Sequence, residues 1–171
     1  MRLTRFERAT PTSAEYFVQN GNVMPLPDNL PPELLNTKAG AFVSVHKFGA
    51  LRGCIGTIAS TQACLAQEII ENAVSAVSKD PRFQPVTEDE LKYLDINVDV
   101  LGEAEKISSP AELDVKKYGV IVQSGYKRGL LLPDLDGVDT VEQQVSIARR
   151  KGRIAPDEKV DLFRFEVVRH Y

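Results

Sequence analysis

Cysteine and histidine are scarce in this chain, two of each in 171 residues, and that scarcity removes whole classes of chemistry. Two thiols are too few for the disulfide framework of a small secreted domain, so both are read as reduced. Cys54 and Cys64 stand ten residues apart, one in strand-like and one in helix-like sequence, and His46 and His170 are the only histidines. No closed zinc ligand set follows from them, and no metal is expected. Long apolar runs are missing as well: nothing approaches the roughly 20 residues of a membrane-spanning helix. The N-terminal stretch Met1-Arg2-Leu3-Thr4-Arg5-Phe6-Glu7-Arg8 alternates charged with apolar residues where a signal peptide would have its apolar core. A cytoplasmic protein without membrane association is the expectation. An excess of positive charge is also absent. A net charge of -3 and a pI near 5.5 argue against the broad basic surface that nonspecific nucleic-acid binding needs, and leave room only for a local patch. There is no internal repeat and no low-complexity tract.

What is present suits one globular domain spanning 1–171, long enough to bury about 70% of its unfolded surface and to divide into two lobes. Residues 43% hydrophobic and 26% charged are ordinary for such a domain. Thr12-Ser13-Ala14-Glu15 fits a capping box and predicts a short opening helix ending at Asn20-Gly21. Pro25, Pro27, Pro31 and Pro32 make 24–36 a wrapping loop with a turn near Pro32. Ala41 to His46 and Leu51 to Ile58 read as a hairpin turning at Gly49. Leu65, Ile69, Ala73, Val74 and Val77 recur with helical periodicity over about five turns, stopped at Asp80-Pro81. Thr87-Glu88-Asp89-Glu90 caps another short helix, and Ile96, Val98 and Val100 alternate as on a half-buried strand. Ser109-Pro110-Ala111-Glu112 starts a helix of one or two turns. Gly119 to Gln123 and Gly129 to Leu132 flank a polar loop, Ser124 to Arg128, as a second hairpin. Thr140-Val141-Glu142-Gln143 caps a helix to Lys151, and 162–168 form a closing strand with Phe163, Phe165 and Val167 on one face. The ledger is about six strands and four or five helices, and strands arriving as hairpins favour a mainly antiparallel α+β fold with flanking helices over a doubly wound one.

The hexapeptide Leu51-Arg52-Gly53-Cys54-Ile55-Gly56 stands out, because packing alone does not ask for a cation and a thiol between two glycines in a strand. Glycine inside a strand marks a bulge or the close approach of a backbone or ligand, which makes Gly53 and Gly56 candidate binding positions. Simple alternation puts Arg52 and Cys54 on one face, and a neighbouring guanidinium favours thiolate over thiol. The bland alternative is a packed cysteine with Arg52 reaching to water.

These residues, in order with Ala39-Gly40-Ala41-Phe42-Val43-Ser44-Val45-His46-Lys47, Thr57, Asp80-Pro81-Arg82-Phe83, Tyr118-Gly119-Val120-Ile121-Val122 and Arg128-Gly129-Leu130-Leu131-Leu132-Pro133, resemble the AMME chromosomal region protein family, in bacteria AmmeMemoRadiSam system protein A. The resemblance runs from about Pro25 to His170, leaving 1–24 as the least family-like stretch, a linker or an arbitrary start of a longer chain. It implies a two-lobed α+β fold with the hexapeptide beside a cleft. It also implies two partners, a Memo-like protein related in fold to extradiol dioxygenases and a radical SAM enzyme, and it implies no particular reaction or cofactor. Some members fuse the Memo-like domain ahead of this one. The chain departs from the pattern at Lys151-Gly152-Arg153, where Lys-Ala-Gly is expected, and at Ser124-Gly125-Tyr126-Lys127, which replaces a more glycine-rich turn.

A catalytic Cys54 needs a base within hydrogen-bond reach, and His46 is the near candidate, since His170 lies too close to the terminus. Register decides. A two- or four-residue turn sets His46 opposite Leu51 and away from Cys54, whereas a three-residue turn or one bulge pairs it with Arg52 and gathers all three. Asp80 and Arg82 read either as a helix terminator with an ion pair or as a carboxylate and guanidinium at the mouth of the cleft. Arg128 is a candidate binding residue, although Lys127 and Arg128 in a hairpin tip and the run Arg149-Arg150-Lys151-Gly152-Arg153 also suit solvated positions. Two functions stay open: an enzyme using Cys54, with Arg52 and His46, for covalent or thiolate chemistry on a small molecule or protein side chain, and a non-catalytic module that binds a partner or metabolite with Cys54 merely packed.

Overall fold

The computed structural model describes residues 6–171, with side chains from Thr10 onward. In chain order the helices are α1 (Phe6–Asn20), α2 (Pro32–Asn36), α3 (Leu65–Ser78) and α4 (Val141–Lys151). The strands are β1 (Ala41–Lys47), β2 (Ala50–Gly56), β3 (Leu94–Leu101), β4 (Glu105–Ile107), β5 (Gly119–Ser124), β6 (Lys127–Leu131), β7 (Asp161–Phe165) and β8 (Val167–His170). They fall into two compact units, one comprising the chain up to Leu101 together with Val168–Tyr171, the other Gly102–Val167.

The first unit is a sheet in the order β2-β1-β3-β8, in which β1 runs antiparallel to both neighbours. One face is apolar. Val43 and Val45 of β1 and Val98 of β3 meet Ile69, Ala73, Ala76 and Val77 of α3, and Ala14 of α1 and Leu34 of α2 complete the cluster. Alternation along β1 therefore sends Phe42, Ser44 and His46 to the other face. The second unit repeats the plan with an antiparallel sheet in the order β4-β7-β5-β6. Val120, Val122, Leu131 and Leu162 form its core with Ala148 of α4 and Ile154. The architecture is the mixed, antiparallel α+β arrangement expected from the hairpins.

Four details differ from the pattern reading. The opening helix already runs at Phe6 and carries Pro11 in its interior, so Thr12 is not its cap. Helix α3 has 14 residues and starts only at Leu65, because residues 57–62 are drawn off to hydrogen-bond Glu68. The second hairpin turns through two residues, Gly125 and Tyr126, since Ser124 pairs with Lys127. The closing strand is broken at Glu166: β7 pairs with β4 and β5, while β8 adds to the other sheet. A period-two pattern is blind to a strand that changes sheets, because alternation resumes on both sides of the break.

Candidate functional site

The geometry around Cys54 begins at the β1–β2 turn. Lys47 pairs with Ala50 and leaves Phe48 and Gly49 as the two turn residues, both with positive φ (52° and 78°). That is the type I′ pattern favoured by twisted hairpins, with the left-handed position filled here by an exposed phenylalanine. His46 then pairs with Leu51, but Val45 pairs with Gly53, so Arg52 is the extra residue of a bulge. Past the bulge, Cys54 stands opposite Ser44 and Gly56 opposite Phe42. A Cβ built on Gly53 would land on the carbonyl oxygen of Ala76 in α3, and one on Gly56 would land in the Phe42 ring. The two glycines thus serve close packing on opposite faces, and Cys54, next to Gly53, points away from α3.

Cys54 is half-buried and its Sγ accepts a hydrogen bond from Ser44 Oγ at 3.3 Å. Its backbone is clamped at the sheet edge. The Cys54 amide donates to Asp80 Oδ2 at 2.9 Å, and Arg82 Nη2 donates to the Cys54 carbonyl at 3.4 Å. Arg82 also grips Asp80 through Nε and Nη2 at 3.0 and 2.7 Å. Asp80 is 5% exposed, and the Arg82 guanidinium, against the penalty of burial and with help from the Cys54 amide, holds its carboxyl well below the usual carboxylate range. The segment after α3 therefore closes an edge strand that would otherwise offer free backbone groups. The helix-terminator reading of Asp80-Pro81-Arg82 describes this geometry: the two side chains form an ion pair just past α3 and hydrogen-bond the Cys54 backbone.

Arg52 turns elsewhere. Its Nε and Nη2 donate to the two carboxylate oxygens of Glu90 at 3.0 and 2.9 Å, and Nη1 donates to the Gln84 carbonyl at 2.9 Å. Lys47 Nζ adds a second cation to Glu90 at 2.8 Å. These partners, Arg52 first, hold the Glu90 carboxyl far below its ordinary value. The bulge re-aims the arginine along the sheet edge, so the simple alternation that put it on the thiol's face does not apply. His46 is on that face, two residues from Ser44, so it is a diagonal neighbour of Cys54. The thiol's hydrogen bond comes from Ser44, and none joins it to His46 among the described residues.

Sequence reasoning missed Ser44, Glu90, Glu68 and Asn72. Glu90 was visible only as the capping-box glutamate; it fills that role by accepting from the Thr87 amide at 3.0 Å while also holding Arg52. Glu68, 1% exposed in α3, accepts from Thr57 Oγ1 (2.6 Å), Thr61 N (2.6 Å), Thr61 Oγ1 (2.8 Å) and Gln62 N (2.8 Å). Burial alone would raise its carboxyl, and these donors outweigh that and leave it lowered. Asn72 Nδ2 donates to the Ala41 carbonyl at 2.9 Å. Together they fix the segment that leaves the hexapeptide. A glutamate inside an apolar helix stripe was the available signal. Arg128 belongs to the second unit, exposed on β6 opposite Gln123. Among the described residues no group of three or more His, Cys, Asp or Glu is placed to hold a metal, and no helix is long and apolar enough to cross a membrane.

The AMMECR1 family profile matches residues 8–170. The chain belongs to the AMMECR1 family. A Thermotoga maritima protein is 49% identical over 158 residues, 91% of either chain. A Clostridium acetobutylicum protein, CA_C1420, is 48% identical over 156 residues that cover 91% of this chain but 33% of that one. Among solved structures, the uncharacterized protein PH0010 from Pyrococcus horikoshii superposes with a TM-score of 0.90 at 29% identity, covering 96% of this chain and 88% of that one.

Proposed function

We propose that this AMMECR1 domain is a recognition module, in which the face bearing Cys54, Ser44 and His46 receives a partner or metabolite and the thiol makes contact without acid–base catalysis. One observation carries the reading: the cation expected to activate the thiol, Arg52, is committed to Glu90 and the Gln84 carbonyl. The near histidine supplies no hydrogen bond to replace it. Half-exposure and a rigid backbone, clamped by Asp80 and Arg82, suit a contact residue. A Memo-like protein and a radical SAM enzyme are the partners proposed from the family resemblance. The threefold longer Clostridium relative supports a domain that works beside others. A cytoplasmic setting and the absence of a nucleic-acid role belong to the same proposal.

A second reading has its own observation. Arg82 Nη2 donates to the Cys54 carbonyl at 3.4 Å, so a guanidinium stands beside the residue that carries the thiol. In that case Cys54 forms a covalent adduct with an electrophilic small molecule. Calorimetric titration against the purified Memo-like and radical SAM proteins of one genome, paired with alkylation kinetics, separates the two. Micromolar binding that survives Cys54→Ser, with Cys54 alkylated by iodoacetamide at pH 6 no faster than a cysteine peptide, supports the module. No binding, with labelling at pH 6 at least about tenfold faster than the peptide, replaces it with the thiolate reading.

A further inference from the structure

The second unit holds a trough of its own. One cavity, of about 470 Å³, is walled by Val141, Val145 and Ile154, with Arg149 and Arg150 at one end. A neighbouring cavity of about 420 Å³ lies along Ile107 and Leu162. The two share Pro110, Val145 and Arg149 as common walls. Each falls within the size range of small-molecule sites, which are mostly apolar with a few placed polar groups.

The arginine at the shared wall is positioned in advance and its charge is uncompensated. Arg149 Nη1 donates to the carbonyls of Ala155 at 2.7 Å and Glu158 at 3.2 Å, which fix the guanidinium without neutralising it. The Glu158 carboxylate is taken by Lys127 Nζ at 2.6 Å and the Ala155 amide at 2.9 Å. Arg149 has no carboxylate partner, and the Arg150 side chain has no hydrogen bond or ion pair, among the described residues. Lys106, on the second cavity, is cancelled by Asp161 at 2.9 Å. The negative end of α4 is quieted as well, since Arg149 and Arg150 carbonyls accept from the Ile154 and Arg153 amides. Glu142 lies two turns away at the other end of the first cavity, where it repels an anion and so sets a direction.

We propose that this trough binds a small amphiphilic anion, a carboxylate or phosphate on an apolar body, with Arg149 and Arg150 on the anion and Val141, Val145 and Ile154 against the body. A guanidinium held by neutral carbonyls keeps its remaining N–H groups for a bidentate oxyanion, and the apolar wall supplies the affinity that one ion pair in water lacks. This site is independent of the Cys54 face and stands or falls without it.

The test is amide NMR of the full chain titrated with octanoate and octyl phosphate, with 1-octanol as the neutral control. Saturable shifts confined to 106–110, 141–154 and 155–162, with octanoate at least about tenfold tighter than octanol, are expected. Arg150→Gln, at an exposed position whose side chain has no hydrogen bond or ion pair, should weaken octanoate about three- to tenfold and leave octanol unchanged. Arg149→Gln should weaken it further, and Arg149→Lys, which keeps the charge, should restore part of the loss if the glutamine variant misfolds. Equal binding of octanoate and octanol, shifts elsewhere, or no saturation by about 10 mM overturns the proposal. Cosedimentation with phosphatidylglycerol vesicles without any response to octanoate overturns it in favour of a membrane surface.

Discussion

The amide of Cys54 donates to the carboxylate of Asp80, 26 positions further on, and the same carboxylate is gripped by Arg82. The thiol-bearing strand and the turn after α3 are thus one mechanical piece. Asp80 is buried and below its ordinary carboxylate range. The folded state therefore binds fewer protons than the unfolded state, whose aspartate titrates near about 3.9. The stabilisation is complete above that value and is lost as pH falls through the folded value. Asp80→Asn should cost about 2 kcal/mol at pH 7, in the range of hydrogen bonds to a charged group. Chemical denaturation at pH 7 and at pH 2.5 checks it: the gap between variant and parent should narrow in acid. A gap that widens in acid would show that another group carries the dependence.

Arg52 and Glu90 make a second clamp, with both side chains less than a fifth exposed. A double-mutant cycle with Arg52→Gln and Glu90→Gln should return a coupling of about 1–3 kcal/mol, since a hydrogen-bonded pair shielded from water is worth more than a surface pair. Iodoacetamide reactivity of Cys54 should move little in either variant. A coupling near zero together with a large fall in Cys54 reactivity would return Arg52 to the thiol and undo the recognition-module reading.

How far the sequence spoke for itself can be judged from single residues. Val43 and Val45, Leu65 through Val77, and the Thr87 and Ser109 capping boxes all specify their elements locally, and the structure has them where alternation, periodicity and capping put them. Simple alternation misplaced Arg52: Gly53 marks that a bulge is available, but which residue becomes the extra one is fixed by how the strand meets its partner and neighbouring helix, here by Gly53 against Ala76. Glu68 showed only as a charge inside an apolar helix stripe, and its partners and those of Asn72 were not legible because they lie on other elements, 6 to 31 positions away.

Arg153 holds a left-handed position: its φ is 54°, and the Arg153 and Ile154 amides close a Schellman cap on the Arg150 and Arg149 carbonyls. A side chain in left-handed backbone is strained by about 1 kcal/mol. Arg153→Gly should therefore stabilise the chain by about that amount and raise Tm by roughly 2–4 °C, read by calorimetry. Gly152→Ala should do the opposite, since its Cβ would crowd the backbone of Arg128 and Gly129. A drop in Tm for Arg153→Gly would mean that the arginine makes an interaction worth more than the strain.

The two thiols should be distinguishable. Cys54 is half-exposed, whereas Cys64, preceding α3, is 6% exposed and belongs to the core cluster. Brief iodoacetamide treatment followed by peptide mass spectrometry should find label on Cys54 first. Cys54→Ser should keep the fold, because Ser44 can still donate to the smaller hydroxyl and the volume change is slight. Equal labelling of the two, or unfolding of Cys54→Ser, would make Cys54 a core residue and remove it from any binding face.

Gly53 sits where β2 presses against α3. Valine has excellent strand propensity, and propensity alone predicts that Gly53→Val stabilises β2 by some tenths of a kcal/mol. The structure predicts the reverse. A Cβ at this position falls on the Ala76 carbonyl oxygen, backbone that cannot rotate aside, so β2 or α3 must move. Overpacking of this kind costs about 1–3 kcal/mol even for one methyl, and more for valine. Gly53→Ala should thus lower stability by about 2 kcal/mol, and Gly53→Val should do worse while also disturbing the Asp80 contact on the neighbouring amide. Urea denaturation orders the three chains. If alanine is neutral and valine stabilising, the strand is not held against α3 at this point, and the rigid backbone of Cys54 rests on the Asp80–Arg82 clamp alone.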